Sequence, residues 1–201
     1  MRITLTIDRS TDAQSVAAVC GDGTVEGLAL EGADCRSGDW ALRVGEFVAG
    51  RAVDRIVVGT GPGSFAGIRA ALAFAQGYAI GSGCEVLGLP SPCALAGSGK
   101  VAVVGDARRG MRWVALFDGF SVVSDVFQVG EDALAASVPD GFRVVSPDDS
   151  RIGEGLGRTF GAAYCGAARP TAEGLARFFL ANPSVLRPEP LPIYLNPAVR
   201  P

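Results

Sequence analysis

The chain has no histidine among its 201 residues. That absence excludes Ser-His-Asp and Cys-His nucleophilic catalysis, H-E-x-x-H zinc sites and histidine-ligated iron together. A hydrolase or metalloenzyme would have to work with carboxylates and cysteines alone, and no such cluster is visible. No catalytic residue and no metal ligand is therefore assigned. The five cysteines form no C-x-x-C pair, and their number is odd. The N-terminus opens directly on a strand-like run instead of a signal peptide, so reduced, mostly buried thiols and a cytoplasmic location are expected. No run approaches the roughly 20 apolar residues a membrane span requires. Lysine is almost missing: of 18 basic residues only Lys100 is one, which reads as a genomic coding bias. A net charge of −3 provides no global basic field to draw in nucleic acid. What is present is an apolar share of 48% against 19% charged, the composition of a chain that folds.

Hydrophobic patterning gives an alternation of strands and helices. Strands are expected over 1–7, 15–20 and 24–30, the last two joined by the Gly21-Asp22-Gly23 turn. Trp40, Val44, Phe47 and Val48 fall on one stripe of a helix over 39–50. An apolar strand over 54–59 runs into a glycine-rich loop and a helix over 65–80; a strand at 85–87 and a short helix at 92–96 follow. Strands are expected again over 101–105, 113–117, 121–129 and 142–145, with helical stretches at 131–136 and 171–180. From Pro183 onward five prolines precede the final Pro201, as in an extended strap.

The two halves open alike. Asp8 and Asp106 each end a first strand, and the same offset of 98 residues carries Val16 to Val114, Val19 to Phe117 and Gly21 to Gly119. A repeat of strand, Asp, turn, strand, glycine turn, strand is the layout of the actin/hexokinase/Hsp70 superfamily. The expected fold is thus α/β, a duplicated actin-like (ASKHA, ribonuclease H-like) fold of two lobes, 1–98 and 99–201, the second carrying the proline-rich tail.

Two segments could hold an anion. The turn Asp8-Arg9-Ser10-Thr11 could present converging N–H groups to a phosphate; the plainer reading, stronger on the residues alone, is that Asp8 and Ser10 tie the turn by side-chain hydrogen bonds. The loop Gly59-Thr60-Gly61-Pro62-Gly63-Ser64 leaves a buried strand and enters a helix, where free donors and the dipole suit an anion. It is neither G-x-G-x-x-G nor a P-loop, and Pro62 removes one donor. A glycine-permitted turn capped by Ser64 is again the stronger reading. In the second half, Asp106, Arg108 and Arg109 either clamp an oxyanion or form a solvated turn with a local ion pair, and the interface reading is slightly favoured.

Gly61-Pro62-Gly63-Ser64-Phe65-Ala66-Gly67-Ile68-Arg69 resembles the G-P-G-S-F-T-G-[IV]-R signature of the TsaB/YeaZ family and its glycoprotease-like relatives, with Ala66 in place of Thr. Ile7-Asp8-Arg9-Ser10-Thr11 resembles that family's I-D-T-S-T, Asp106-Ala107-Arg108-Arg109-Gly110 its D-A-R-R-G, and Pro192-Ile193-Tyr194-Leu195 its terminal P-x-Y-L. The resemblance runs in order across almost the whole chain. It implies a non-catalytic subunit acting with the catalytic paralogue TsaD and, in bacteria, the ATPase TsaE. Together they attach threonylcarbamoyl to the adenosine beside the anticodon of certain tRNAs. The chain alone would form a homodimer, touch tRNA only through the complex, and hold no tightly bound cofactor, with ATP or ADP bound weakly at Asp8, Ser10, Thr11, Gly61, Gly63 and Ser64. Departures are Arg9 in place of a small hydroxyl residue, Gln76 in place of Lys, and Cys35-Arg36-Ser37-Gly38 where a His-Ser pair is common.

The helix over 65–80 is apolar on nearly every side, more than one sheet-facing stripe requires. Its Ile68, Arg69, Leu72, Phe74 and Gln76, extended by Trp40, Val44 and Phe47, form the expected partner interface; in the resembled family two such helices build a four-helix bundle. The rival reading is a stand-alone actin-like ATPase or small-molecule kinase. Such a kinase needs a second phosphate turn of D-x-G-T type, where this chain has Asp106-Ala107-Arg108-Arg109, and an adenosine motif, for which 153–157 is the only glycine-rich run.

Overall fold

The computed structural model describes residues 1–30 and 39–195. Cys35 to Gly38 and the end of the tail from 196 lie outside the described residues. The chain divides into two compact units, 1–94 with 170–193, and 95–169 with 194–201.

The first unit is built on β1 (Arg2–Asp8), β2 (Ser15–Cys20) and β3 (Val25–Ala29), an antiparallel meander. It continues through helix α1 (Asp39–Val48), β4 (Ala52–Gly59), helix α2 (Phe65–Ser82) and β5 (Glu85–Leu89). β4 lies parallel to β1, and β5 parallel to β4. Strand alternation decides which side chains meet which layer. Ile3, Leu5 and Ile7 share one face with Val16, Ala18, Val53, Ile56 and Val58, and that face is covered by α1 and α2. Thr6 points the other way, where its hydroxyl donates to the Ala172 carbonyl at 2.9 Å. Residue 172 opens helix α5 (Ala172–Ala181), which packs on β1, β2 and β3.

The second unit repeats this plan with β6 (Lys100–Arg108), β7 (Met111–Asp118), β8 (Ser121–Gly130), β9 (Arg143–Ser146) and β10 (Tyr164–Ala167). Its order, β10-β9-β6-β7-β8, matches the β5-β4-β1-β2-β3 of the first unit, with the same parallel and antiparallel partners. The duplicated α/β fold is therefore present. Its core joins Ala102, Val104, Val114, Leu116 and Val144 to Leu134 of the short helix α3 (Leu134–Ser137), and to Ile152 and Leu156 of helix α4 (Asp149–Phe160).

Several expectations from the sequence change. The offset of 98 residues carries Ser15 onto Trp113, yet Asp106 pairs with Arg112, because the β6–β7 hairpin is one residue tighter than the β1–β2 turn. Helix α4 and β10 were not expected, and the glycines at 153, 155 and 157 lie inside α4, in helix and not in a nucleotide loop. The segment 170–193 sits with the first unit, while the sequence division placed it after residue 98; the reason is that α5 covers the open face of the first sheet. The proline-rich strap begins with a 3-10 turn at Pro183–Val185 and adds β11 (Arg187–Pro188) to the β5 edge.

Candidate functional site

The Asp8 turn and the glycine loop, apart in sequence, are brought together because β1 and β4 are adjacent parallel strands ending side by side. Asp8 is fully buried. Its Oδ1 accepts from the Ser10 backbone at 2.9 Å and from the Ser10 hydroxyl at 2.7 Å, an Asx turn. Burial pushes the Asp8 carboxyl above its ordinary range, against the opposing pull of the Ser10 and Ser91 hydroxyls and the Ser10 N–H. Thr11 ties the same turn, its Oγ1 accepting from Ala13 at 3.2 Å.

The glycines of the loop are the surface on which this turn rests. A Cβ at Gly59 would lie 2.0 Å from Asp8 Oδ2, one at Gly63 2.1 Å from the Ser10 carbonyl oxygen, and one at Gly67 2.1 Å from the Arg9 carbonyl oxygen. Gly61 has φ +88°, a left-handed conformation open to glycine at little cost. The loop's donors are largely committed within the protein. Thr60 N–H reaches Leu89 O at 2.9 Å, Gly61 N–H reaches Ser91 Oγ at 3.0 Å, and Ser64 N–H reaches Ser10 O at 2.7 Å. Ser64 caps α2 by accepting Gly67 N–H at 3.2 Å. Asp8, Ser10, Thr11, Gly61, Gly63 and Ser64 thus belong to one joint, a turn locked onto a turn.

Arg9 is buried, its guanidinium stacked over Trp40 with 4.1 Å to the ring centre and its Nε donating to Gln14. Here the arginine in place of a small hydroxyl residue ties the turn to α1. Ser91, which holds Gly61 and lies beside Asp8, carries no signal in the sequence: it follows Pro90 at the start of a 3-10 turn.

The expected partner face separates into two sides. Trp40, Val44, Ile68 and Leu72 are buried in the core of the first unit, and Phe47 and Phe74 are partly buried against it. Phe74 lies 5.0 Å from Trp40, centroid to centroid. Within the chain, α1 and α2 turn these apolar faces towards the sheet and each other. Arg69 and Gln76 are exposed, and the outer face of α2 between them carries Ala66, Ala73, Gly77 and Ile80, the last 89% exposed. The helix is apolar outside as well as inside, and apolarity all round gives the sequence no phase from which to choose the outer face.

In the second unit, the β6–β7 hairpin turns at Arg109-Gly110, with Arg108 paired to Met111. Arg108, Arg109 and Gly110 have φ of 66°, 53° and 74°, all left-handed. For a residue with a Cβ this costs about 1–2 kcal/mol each. Asp106 lies beneath: its Oδ1 accepts Arg108 N–H at 2.8 Å, and its oxygens face the guanidiniums of Arg108 at 3.3 Å, Arg151 at 3.6 Å and Arg112 at 3.8 Å. Asp148 accepts from the Asp106 backbone at 2.9 Å and pairs with Arg151, while Arg112 also holds Glu131 at 3.1 Å. The sequence found Asp106, Arg108 and Arg109 but not the long-range members, which only the fold collects.

Comparison with known proteins bears on the whole arrangement. The family model for TsaD, tRNA N6-adenosine threonylcarbamoyltransferase, matches residues 48–138, under half of the chain. Uncharacterized proteins of Mycobacterium tuberculosis and Mycobacterium bovis are 39% identical over 83 residues, 40% of this chain and 39% of each relative. The match thus spans about two fifths of the length of those curated relatives. Among solved structures, an uncharacterized protein with similarity to peptidase YeaZ from Pseudomonas aeruginosa superposes with a TM-score of 0.76 at 23% identity, covering 98% of this chain and 100% of that one. YeaZ from Pseudomonas aeruginosa gives 0.75 at 23% identity, over 96% and 100%. The fold is therefore like that of YeaZ along almost the whole chain, and the sequence resembles the TsaD family over the stretch that contains the glycine loop.

Proposed function

We propose that this chain, with the fold of YeaZ and a stretch like TsaD, is an accessory subunit of a tRNA threonylcarbamoyladenosine complex. It scaffolds and activates a TsaD-like catalytic subunit, has no active site of its own, and meets tRNA through that complex in the cytoplasm, together with a TsaE-like ATPase. Alone it forms a homodimer. The observation that supports this reading best is the use made of the glycine-loop signature. Its donors and its close-packed glycines hold the Asp8 turn, and the helix it begins offers an apolar outer face. An exposed apolar helix face is one of the marks of a binding surface.

The test is threonylcarbamoyl transfer to tRNA by the cognate TsaD-like subunit, with and without this chain. Activity that depends on the chain, and that falls when Ile80 or Ala73 is changed to Glu while the fold is kept, supports the reading. Full transfer without the chain would remove it. The rival, an actin-like ATPase or kinase, requires an opened phosphate cradle. Because Ser64 N–H is held by Ser10 and Gly61 N–H by Ser91, ATP is expected to bind weakly or not at all, and calorimetry giving micromolar or tighter affinity would favour the rival.

A further inference from the structure

The β6–β7 hairpin puts arginine where the backbone asks for something else. A two-residue turn with both φ values positive favours Asn-Gly, and a bulge residue in the left-handed region favours Gly. This chain has Arg109 at the first turn position, and Arg108, also left-handed, between the turn and the register shift that follows Asp106. Neither arginine is consumed by the core. Arg108 is 63% exposed although it touches Asp106, and Arg109 is exposed and makes no ion pair among the described residues. Below them the base of the turn is stiffened: Asp106 fixes the Arg108 N–H, Arg112 and Arg151 brace Asp106, and Asp148 holds its backbone. Strain in an exposed turn with a rigid base is a sign of function when cheaper residues would fold equally well.

We infer that the Arg108–Arg109 turn is a docking point for a carboxylate-bearing surface of a protein partner, separate from the outer face of α2. A planar guanidinium suits a carboxylate or a phosphate equally. The choice falls on a protein carboxylate because one turn with a single unpaired arginine, on a chain of net charge −3, neutralises too few phosphates to hold a nucleic-acid backbone. The choice of binding partner for the test rests on the accessory-subunit reading.

The experiment measures binding of the full chain to the cognate TsaD-like subunit, across a salt series, for wild type, R109N, R108G and R109E. R109N and R108G relieve the backbone, so their thermal midpoints are expected to equal or exceed that of wild type. Their affinity, and more so that of R109E, is expected to fall about tenfold at low salt with a flatter salt dependence, as for lost charge pairs at an interface. A purely structural turn would give the stability gain with no loss of binding. Wild-type affinity in R109E would overturn the inference alone, with the accessory role intact. A R109E variant that binds the subunit normally but loses tRNA in a gel shift would also overturn it, by assigning the turn to phosphate. Failure of wild type to bind the subunit at all would remove the accessory reading and this inference with it.

Discussion

At the scale of single residues, Asp8 and Gly67 show how two motifs with the look of a phosphate site are held in place by packing. The folded pKa of Asp8 is raised above its unfolded value of 3.8, chiefly by burial. For such a group the stabilising contribution of the protonated form is fully present below the unfolded value and is lost as pH rises through the folded one. Asp8→Asn keeps an Oδ1 that can accept from Ser10 and carries no charge. Wild type is therefore expected to lose stability relative to Asp8→Asn as pH is raised from about 4 towards neutrality, and identical denaturant midpoints at every pH would refute the burial argument. Gly67 gives a sharper test, because helix propensity and packing oppose each other there. Gly→Ala inside a helix is worth about 1 kcal/mol in favour of the substitution. At Gly67, though, the new Cβ would meet the Arg9 carbonyl oxygen at 2.1 Å, whereas at Gly77 nothing lies within 4 Å. Gly77→Ala should raise stability by about 0.5–1 kcal/mol, and Gly67→Ala should lower it by about 2 kcal/mol once the overpacking is counted. Urea midpoints shifted in the same direction for both would mean that the turn does not rest on the helix.

At the scale of elements, α2 is where the sequence was least able to decide. Its start was legible, since Ser64 is a good cap. Its phase was not. A helix with apolar residues on all sides carries no preferred direction, and only the position of the sheet and of α1 shows that Leu72 points inward and Ile80 outward. Leu72→Ala is accordingly expected to cost about 2–5 kcal/mol as a core truncation. Ile80→Glu should stay within about 0.5 kcal/mol of wild type and act on association, read by light scattering. A Leu72→Ala variant as stable as wild type would reverse that phase. Helix α4 escaped notice for a related reason: glycine at 153, 155 and 157 makes it a poor helix by propensity. Yet Gly153 sits against Asp149 and Tyr164, whose hydroxyl donates to Asp149. Tertiary packing outweighs local preference there, and no single-sequence pattern reports it.

At the scale of the whole molecule, the duplication was legible only as far as the meander. Up to the third strand of each unit the connections are short turns, so equivalent residues keep a nearly constant offset. Beyond it, the first unit places α1 before its fourth strand and the second a 3-10 turn with α3, so the offset is lost although the strand order is kept. The return of the chain end to the first unit could not be read at all. The Thr171-capped helix looks like any amphipathic helix, and its target is fixed by contacts more than 150 residues away in sequence: Thr6 with Ala172 O, and Ala172 N–H with Ser15 Oγ at 2.8 Å. Gly174 completes the fit, since a Cβ there would lie 2.3 Å from the Ala94 carbonyl oxygen. Leu175 and Phe178 are fully buried by this docking. Phe178→Ala should therefore cost about 3–5 kcal/mol, and the loss should fall on the sheet that α5 covers. By hydrogen exchange of the full chain, peptides spanning β1 to β3 are expected to lose protection in this variant while those spanning β6 to β8 keep theirs, although Phe178 follows the second meander and lies far from the first in sequence. Loss of protection first in β6 to β8 would place α5 with the second unit, where the sequence alone had put it, and would undo the assignment of the chain end to the first.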